Sequence, residues 1–378
     1  MIRTSRRPHA AYKPYRVFFP AAALWALVSI PAWLCMRSGL LPQPTLLPPA
    51  LWHAEEMLFG YTLAVIAGYL LPPLTVLPFA GMVALWLIAR VAWFIPGIPA
   101  IAVALMGVAF PIALGLAGVR RFGPVKRARN HIFAAILIGL AITAPLLLGA
   151  SVDLRFALAS TGLRLTLLLV VLLIIVMGGR LIPAATIGAL REQGGNIVIR
   201  VQPARELALI LAVTALLIAE ALALPNPLSG ALAWLIAVLL LSRMKDWHSF
   251  SVGRLPEIWP LHLGYAWIAV GFGLLGLVRT MSLGGEVEAL HALAVGGVGT
   301  ITLAMMARLT RLRSTSRRVF QGLNLTHGLF AAAVALRVAG PWAAPAKIES
   351  ILWLSAACWS LAYSGLLVLF ATSHRRFR

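Results

Sequence analysis

Long apolar stretches, separated by short basic connections, recur along the whole sequence and constrain its fold more than any other feature. A helix needs roughly 20 apolar residues to cross the hydrocarbon of a bilayer. Hydrophobic residues make up 61% of the 378 residues and charged residues only 11%, against about a quarter in a typical soluble domain. The sequence therefore predicts an all-α, polytopic transmembrane helical bundle. About twelve candidate spans occur: 18–37, 54–76, 77–95, 97–118, 131–149, 157–177, 206–223, 229–243, 259–279, 287–308, 325–341 and 349–371.

Two of the boundaries between these spans are the most weakly marked. LPPLTVLP at 71–78 and FIPGIP at 94–99 separate neighbouring apolar runs with proline and glycine alone. Proline and glycine end a helix without indicating on which side of the membrane it ends. One of these two hairpins can therefore be re-entrant.

The basic residues predict how the bundle is oriented. If both termini are cytoplasmic, 25 of the 32 Lys and Arg residues fall in cytoplasmic tails and connections, where such residues accumulate. We therefore predict a basic cytoplasmic tail at 1–17, a single transmembrane domain at 18–371 and a second basic tail at 372–378. Because the basic clusters are short and interrupted, the net charge of +21 indicates contact with a lipid bilayer and not with nucleic acid.

Seven basic residues remain on the predicted outer side, together with seven of the 11 acidic residues. The basic residues are Arg37, Arg90, Arg155, Arg164, Arg279, Arg337 and Lys347. The acidic residues are Glu55, Glu56, Asp153, Glu220, Glu286, Glu288 and Glu349. Polar groups of both signs can therefore meet near this face of the membrane.

The stretch WHAEEMLFG, residues 52–60, places a histidine and two glutamates at the outer start of the second span. On a helix His53, Glu56 and Gly60 share one face, while Glu55 points elsewhere. Charged groups near a bilayer usually face a cavity, a partner or a cofactor. The alternative is that these residues lie among the lipid headgroups as solvated helix ends.

A second histidine, His291, starts the tenth span from the same outer side. Gly296, Gly297 and Gly299 follow it, and such small residues admit a neighbouring helix or a flat cofactor. We expect His53 and His291 to approach each other across the bundle. Two neutral imidazoles facing a cavity suit haem iron or a copper ion, whereas a histidine hydrogen-bonded between helices is the alternative.

Four further residues are candidates at the cytoplasmic side. His262 opens the ninth span and His327 the eleventh, so the two can form a second metal site, about a membrane thickness from the first. By the same reasoning, His262 and His291 cannot bind one haem together. Arg180 and Arg308 end their spans. An arginine can pair with a haem propionate, although snorkelling side chains that anchor the topology are the simpler explanation.

The motifs together resemble those of the NnrS family. WHAEEMLFG resembles the family's W-H-x-H-E-M-L-F-G signature, and MGGRLIPAAT resembles its G-G-R-x-I-P-x-x-T segment. LPEIWPLHLGYAWI, LHALAVGGVGTITLAMMAR, LRVAG and the tryptophan of the last span, Trp359, follow in the same order. The resemblance covers the chain from about residue 15 to 370. Two positions depart from it, because Glu55 replaces the family's second histidine and RLRSTSRR replaces its G-H-T-G-R segment.

This resemblance implies a multi-pass protein of the bacterial inner membrane that binds haem and copper. It also implies a role in the response to nitric oxide, in denitrification and in relief of nitrosative stress. The residues carried over from the family motifs are His53, Glu56, His262, His291, Arg180 and Arg308. Each departure removes a potential ligand, and the copper ion is the cofactor affected.

No P-loop, no GxGxxG after a strand, no HExxH and no GxSxG occurs, and no connection is long enough for a soluble catalytic domain. Any chemistry therefore takes place inside the bundle or at its edge. Three functions remain open. The first is a haem protein that handles nitric oxide, the second a permease for a metal, haem or small anion, and the third a structural or sensory protein without a cofactor.

Overall fold

The computed structural model describes residues 11–44, 46–124, 128–149, 156–195, 197–199, 201–311 and 317–374. In these residues the chain is helical throughout, apart from short connections and a single antiparallel bridge between Tyr12 and Leu74. The all-α prediction is therefore confirmed for the described residues. The predicted basic tails fall largely on residues 1–10 and 375–378, and the RLRSTSRR segment on residues 312–316, all outside the described residues.

The helices are numbered here in chain order. Two of them, α2 and α10, contain a π-helical segment between two α-helical ones. The bounds are α1 Tyr15–Arg37; α2 Pro49–Glu55, Glu56–Thr62 (π) and Leu63–Leu70; α3 Val76–Val91; α4 Ala100–Phe122; α5 Ala128–Leu148; α6 Phe156–Glu192; α7 Pro203–Ala221; α8 Asn226–Met244; α9 Trp259–Met281; α10 Glu286–His291, Ala292–Gly299 (π) and Thr300–Arg311; α11 Arg317–Ala343; and α12 Ile348–His374.

Nine helices in the described part of the chain are long and apolar enough to cross a membrane: α1, α3, α4, α6, α8, α9, α10, α11 and α12. Of the other three, α5 contributes a shorter apolar stretch, His131–Leu146, and α2 and α7 carry charged residues within their helices. Each of the three coincides with a predicted span. The total of about twelve spans and the cytoplasmic position of both termini stay predictions.

Local sequence explains where the helices begin and end. Pro49 and Pro203 stand in the first turns of α2 and α7, where the missing N–H has no helical acceptor in any case. Gly39 follows α1 with φ +78° and Gly97 separates α3 from α4 with φ +81°, a left-handed conformation that glycine adopts without strain. Both uncharged boundaries are short non-helical connections in the structure.

The bundle closes on itself because α1 packs against both α2 and the last helix, α12. The most buried membrane-length helices are α6 and α10, with 78% and 72% of their apolar stretch buried. α9 packs along α10 and α8. His291 therefore lies on one of the two central helices of the fold.

Ion pairs link the outer ends of the helices. All six described outer glutamates pair with outer arginines: Glu349 with Arg37, Glu55 and Glu56 with Arg90, Glu220 with Arg164 and Arg279, Glu286 with Arg279, and Glu288 with Arg337. Asp153 and Arg155 lie outside the described residues. These pairings neutralise every described glutamate of the predicted outer side.

Candidate functional site

His53 and His291 lie side by side at the predicted outer ends of α2 and α10. Their ring centres are 6.4 Å apart and their ring planes are inclined by only 7°. On α1, Trp33 stacks against His53 with ring centres 4.5 Å apart. The predicted approach of the two histidines across the bundle is confirmed.

Hydrogen bonds orient the ring of His291. Its Nδ1 lies 2.7 Å from the carbonyl oxygen of Val287 and 3.1 Å from Nη2 of Arg337. A carbonyl only accepts and a guanidinium only donates, so one nitrogen cannot satisfy both at once. When Nδ1–H donates to Val287, the lone pair of Nε2 is free to bind a metal, an arrangement common among metal-bound histidines. Arg337 also forms an ion pair with Glu288, at 3.7 Å.

The spacing of the two rings fits a shared metal ion. With metal–nitrogen bonds of about 2.0–2.1 Å and ring centres roughly 1.2 Å behind each nitrogen, two opposed imidazoles place their centres roughly 6–7 Å apart. The observed 6.4 Å lies within this range. In addition, Nδ1 of His53 and Nε1 of Trp33 are buried without a hydrogen-bond partner in the described chain. Buried polar atoms of this kind usually have a partner, which a bound group can supply.

Both histidines lie shortly before a π-helical segment. One segment begins three residues after His53, at Glu56–Thr62, and the other begins directly after His291, at Ala292–Gly299. π-helical segments are rare and frequently occur at functional sites, because the extra residue per turn changes which side chains face inward. The two helices therefore share the same local irregularity at the same depth of the bundle.

Next to the histidines, α2 and α3 enclose a buried cluster of charges. Arg90 donates to Glu55 Oε1 over 2.7 Å, and its Nη1 lies 2.9 Å from Glu56 Oε2 in a direction too poor for a hydrogen bond. Trp25 Nε1 donates to the same oxygen of Glu56 over 2.7 Å. The exposed fraction of the three charged side chains is 0–2%. A Cβ on Gly60 would collide with Arg90, Glu56 and Trp25.

This cluster corrects one expectation. Glu55 was expected to point away from Glu56, yet both carboxylates contact Arg90. The reason is that the forked guanidinium of Arg90 reaches the two neighbouring residues with different nitrogens, Nη2 and Nη1. Sequence reasoning also missed the role of Arg90. Its signal was an arginine in an apolar span on the predicted outer side, where basic residues are scarce.

Below the cluster, three hydroxyl groups form a chain across the bundle. Tyr61 in the π-helical segment of α2 lies 2.6 Å from Thr302 Oγ1 on α10, and Tyr363 on α12 donates to Tyr61 over 2.5 Å. Thr302 in turn donates to the carbonyl of Val298. Sequence analysis did not single out these residues, because a lone tyrosine or threonine in an apolar span carries no pattern.

The glycines that follow His291 contact side chains of neighbouring helices. A Cβ on Gly296 would meet Trp267, one on Gly297 would meet Ile268, and one on Gly299 would meet Phe330. Of the two readings of these small residues, close helix packing is the one observed. They do not line a space for a flat cofactor.

The two histidines predicted at the cytoplasmic side lie apart from the pair of His53 and His291. His262 lies near the start of α9 and His291 beyond its end, about 30 Å away by helical rise. Both ring nitrogens of His262 are hydrogen-bonded, Nε2 to Thr186 over 2.8 Å and Nδ1 to Ser249 over 2.9 Å. Because Thr186 already donates to Ile182, Nε2 must carry the proton. No lone pair of His262 is then available for a metal.

His327 is buried on α11, and both of its ring nitrogens lack a partner within the described residues. Its ring meets the edge of Trp259, with centres 5.8 Å apart. Across the described chain, no group of three or more His, Cys, Asp or Glu side chains has metal-binding geometry. The second metal site proposed for His262 and His327 gains no support from this arrangement.

The glycine pair before Arg180 accommodates a different arginine. A Cβ on Gly179 would overlap the guanidinium of Arg243 from α8. Arg243 is buried, donates to the carbonyl of Ile175 over 3.0 Å and to Tyr265 over 2.5 Å, and pairs with Glu206. Arg180 itself is exposed. Gly179 therefore makes room for Arg243, and the pairing of Arg180 with a haem propionate stays an alternative to snorkelling.

Gly179→Ala should destabilise the protein by about 1–3 kcal/mol, because the new methyl group forces Arg243 out of a well-packed site. Gly188→Ala on the same helix is the matched control, since a Cβ there meets nothing within 4 Å. Thermal unfolding of both variants in detergent micelles measures the difference. Equal stability of the two variants would contradict the close contact between Gly179 and Arg243.

Comparison with known proteins supplies a family. A family profile described as "NnrS protein" matches residues 11–378. No curated protein and no solved structure gives a match. The matched region includes both histidine-bearing helices, the Arg90 cluster and the glycine pair that receives Arg243. Because the profile spans nearly the whole sequence, the chain belongs to the NnrS family.

Proposed function

We propose that this protein is a haem-binding member of the NnrS family in the bacterial inner membrane, in which His53 and His291 would hold the haem iron. The single observation that carries the proposal is the parallel pair of imidazoles with ring centres 6.4 Å apart. Family membership supports a role in the nitric oxide response and in relief of nitrosative stress during denitrification. Bound haem would supply an iron that binds nitric oxide and whose reactivity depends on the polarity of its pocket.

The side chains around the pair have separable roles. Trp33 stacks on His53 and limits its rotation, while the carbonyl of Val287 orients His291. Arg337 brings a positive charge next to His291, which favours an anionic ligand or propionate nearby. Trp52 is 1% exposed, and the Arg90 cluster is buried as well. These side chains keep water away from the two histidines on the side that faces the interior of the bundle.

The two imidazoles can serve one haem iron, but no further ligand is left for a copper ion beside it. Glu55 stands where the family motif has a second histidine, and its carboxylate pairs with Arg90 at 2.7 Å. It is therefore committed to a structural contact and not free to bind copper. A copper ion would have to use the same two imidazoles as the haem, so we propose one metal centre at this pair.

An absorption spectrum of the purified protein, with iron and copper analysis, tests the proposal. We expect a Soret band, about one iron per chain, substoichiometric copper and a spectral shift on addition of nitric oxide, because nitric oxide binds haem iron. Expression with added haem precursor controls for poor loading. A monodisperse protein that contains no haem under these conditions contradicts the proposal.

A further inference from the structure

An apolar cavity of about 80 Å³ opens between the helices at the end of the bundle away from the histidine pair. Its walls come from α2, α6, α9 and α10, and none of the histidines lines it. The inner wall is buried, with Val65 and Leu173 each 4% exposed. At the rim, Tyr69 is 41% exposed and Met305 is partly exposed, so one side of the cavity faces the surroundings of the bundle.

Basic side chains stand at this rim. Arg308 follows Met305 by three residues on α10, which places it one turn further along the same face. Arg180 follows the cavity-lining Gly178 on α6 and is exposed. In contrast to the outer arginines, neither forms an ion pair with any carboxylate in the part of the chain that is described.

We propose that this cavity and rim form a binding site for an anionic phospholipid of the cytoplasmic leaflet. One acyl chain enters the apolar cavity, and the phosphate contacts Arg308, with Arg180 adding positive charge at the edge. Charge complementarity selects this occupant, because the cytoplasmic leaflet is negatively charged and basic pockets between helices on that side bind anionic headgroups. A zwitterionic lipid would fill the same cavity without the electrostatic gain.

Native mass spectrometry of the detergent-purified protein, with added phosphatidylglycerol or phosphatidylcholine of identical chains, tests the site. We expect one tightly held phosphatidylglycerol and weaker phosphatidylcholine. Arg308→Gln should lower the preference about fivefold, the factor that corresponds to about 1 kcal/mol per basic residue near an anionic surface. Arg254→Gln is the control, because Arg254 is an exposed arginine of a cytoplasmic-side connection.

The apolar part of the site needs its own variant. Met305→Trp should fill the cavity and abolish retention of both lipids, whereas Val238→Trp, at a position 59% exposed on α8, should leave retention unchanged. If Met305→Trp is not monodisperse, Met177→Phe on α6 fills the same space. Equal retention of the two lipids by the unaltered protein overturns the proposal. So does unchanged phosphatidylglycerol binding in Arg308→Gln or in the filled variants.

Discussion

Replacing either His53 or His291 with alanine should remove the haem from the purified protein. Loss of a residue that only supports a metal ligand lowers affinity about 10–100-fold, so loss of a ligand should lower haem occupancy by more than that. Each single substitution should suffice, because the proposed site would hold the iron through both imidazoles. The Soret absorbance per milligram of monodisperse protein measures the effect.

Two controls separate loss of a ligand from loss of the fold. His131→Ala removes an exposed histidine and should leave the Soret band unchanged. His262→Ala removes a buried histidine whose nitrogens are bonded to Thr186 and Ser249, so it should lower stability while haem is retained. The assignment of His53 and His291 would be refuted by two results together: His262→Ala loses the haem, and His53→Ala keeps it.

Arg90→Met should destabilise the protein by about 3–5 kcal/mol, the usual cost of removing one partner from a buried ion pair. The reason is that Glu55 and Glu56, both 0% exposed, would lose their shared cation in a region that water does not reach. One oxygen of each carboxylate already lacks a hydrogen-bond partner among the described residues. Thermal or denaturant unfolding in detergent micelles measures the change.

Arg37→Met is the matched control for the buried cluster. Its ion pair with Glu349 is 3.5 Å long, and the two side chains are 43% and 54% exposed. Exposed pairs contribute about 0–1 kcal/mol. The triple change Arg90→Met, Glu55→Gln and Glu56→Gln should recover part of the lost stability, because no charge is then left buried alone. If Arg90→Met resembles Arg37→Met, the buried cluster does not hold α2 to α3.

Some features of the site were accessible from hydropathy and residue type. His53 and His291 were expected at the same depth because each begins an apolar run on the side that is poor in basic residues. Their closeness across the bundle followed from that common depth. The motifs around them, with the glycine pair before Arg180, also indicated the NnrS family to which the chain belongs.

Other features depended on pairings between distant parts of the chain. Arg90 meets Glu55 across 35 residues, and Arg243 reaches the carbonyl of Ile175 across 68. No local pattern records either contact, since each depends on how far two helices rotate toward one another. The π-helical segments after both histidines are likewise not recorded in hydropathy.

The sequence by itself determined the helical class, the approximate ends of the helices and the family. It could do so because a helix in lipid must satisfy its own backbone hydrogen bonds, so that each span is encoded by its own run of apolar residues. Only the tertiary structure decided which polar groups meet. It committed Glu55 and Glu56 to Arg90 and the nitrogens of His262 to hydroxyl groups, and left the imidazoles of His53 and His291 facing each other. Those choices depend on the rotation and packing of whole helices, which hydropathy does not record.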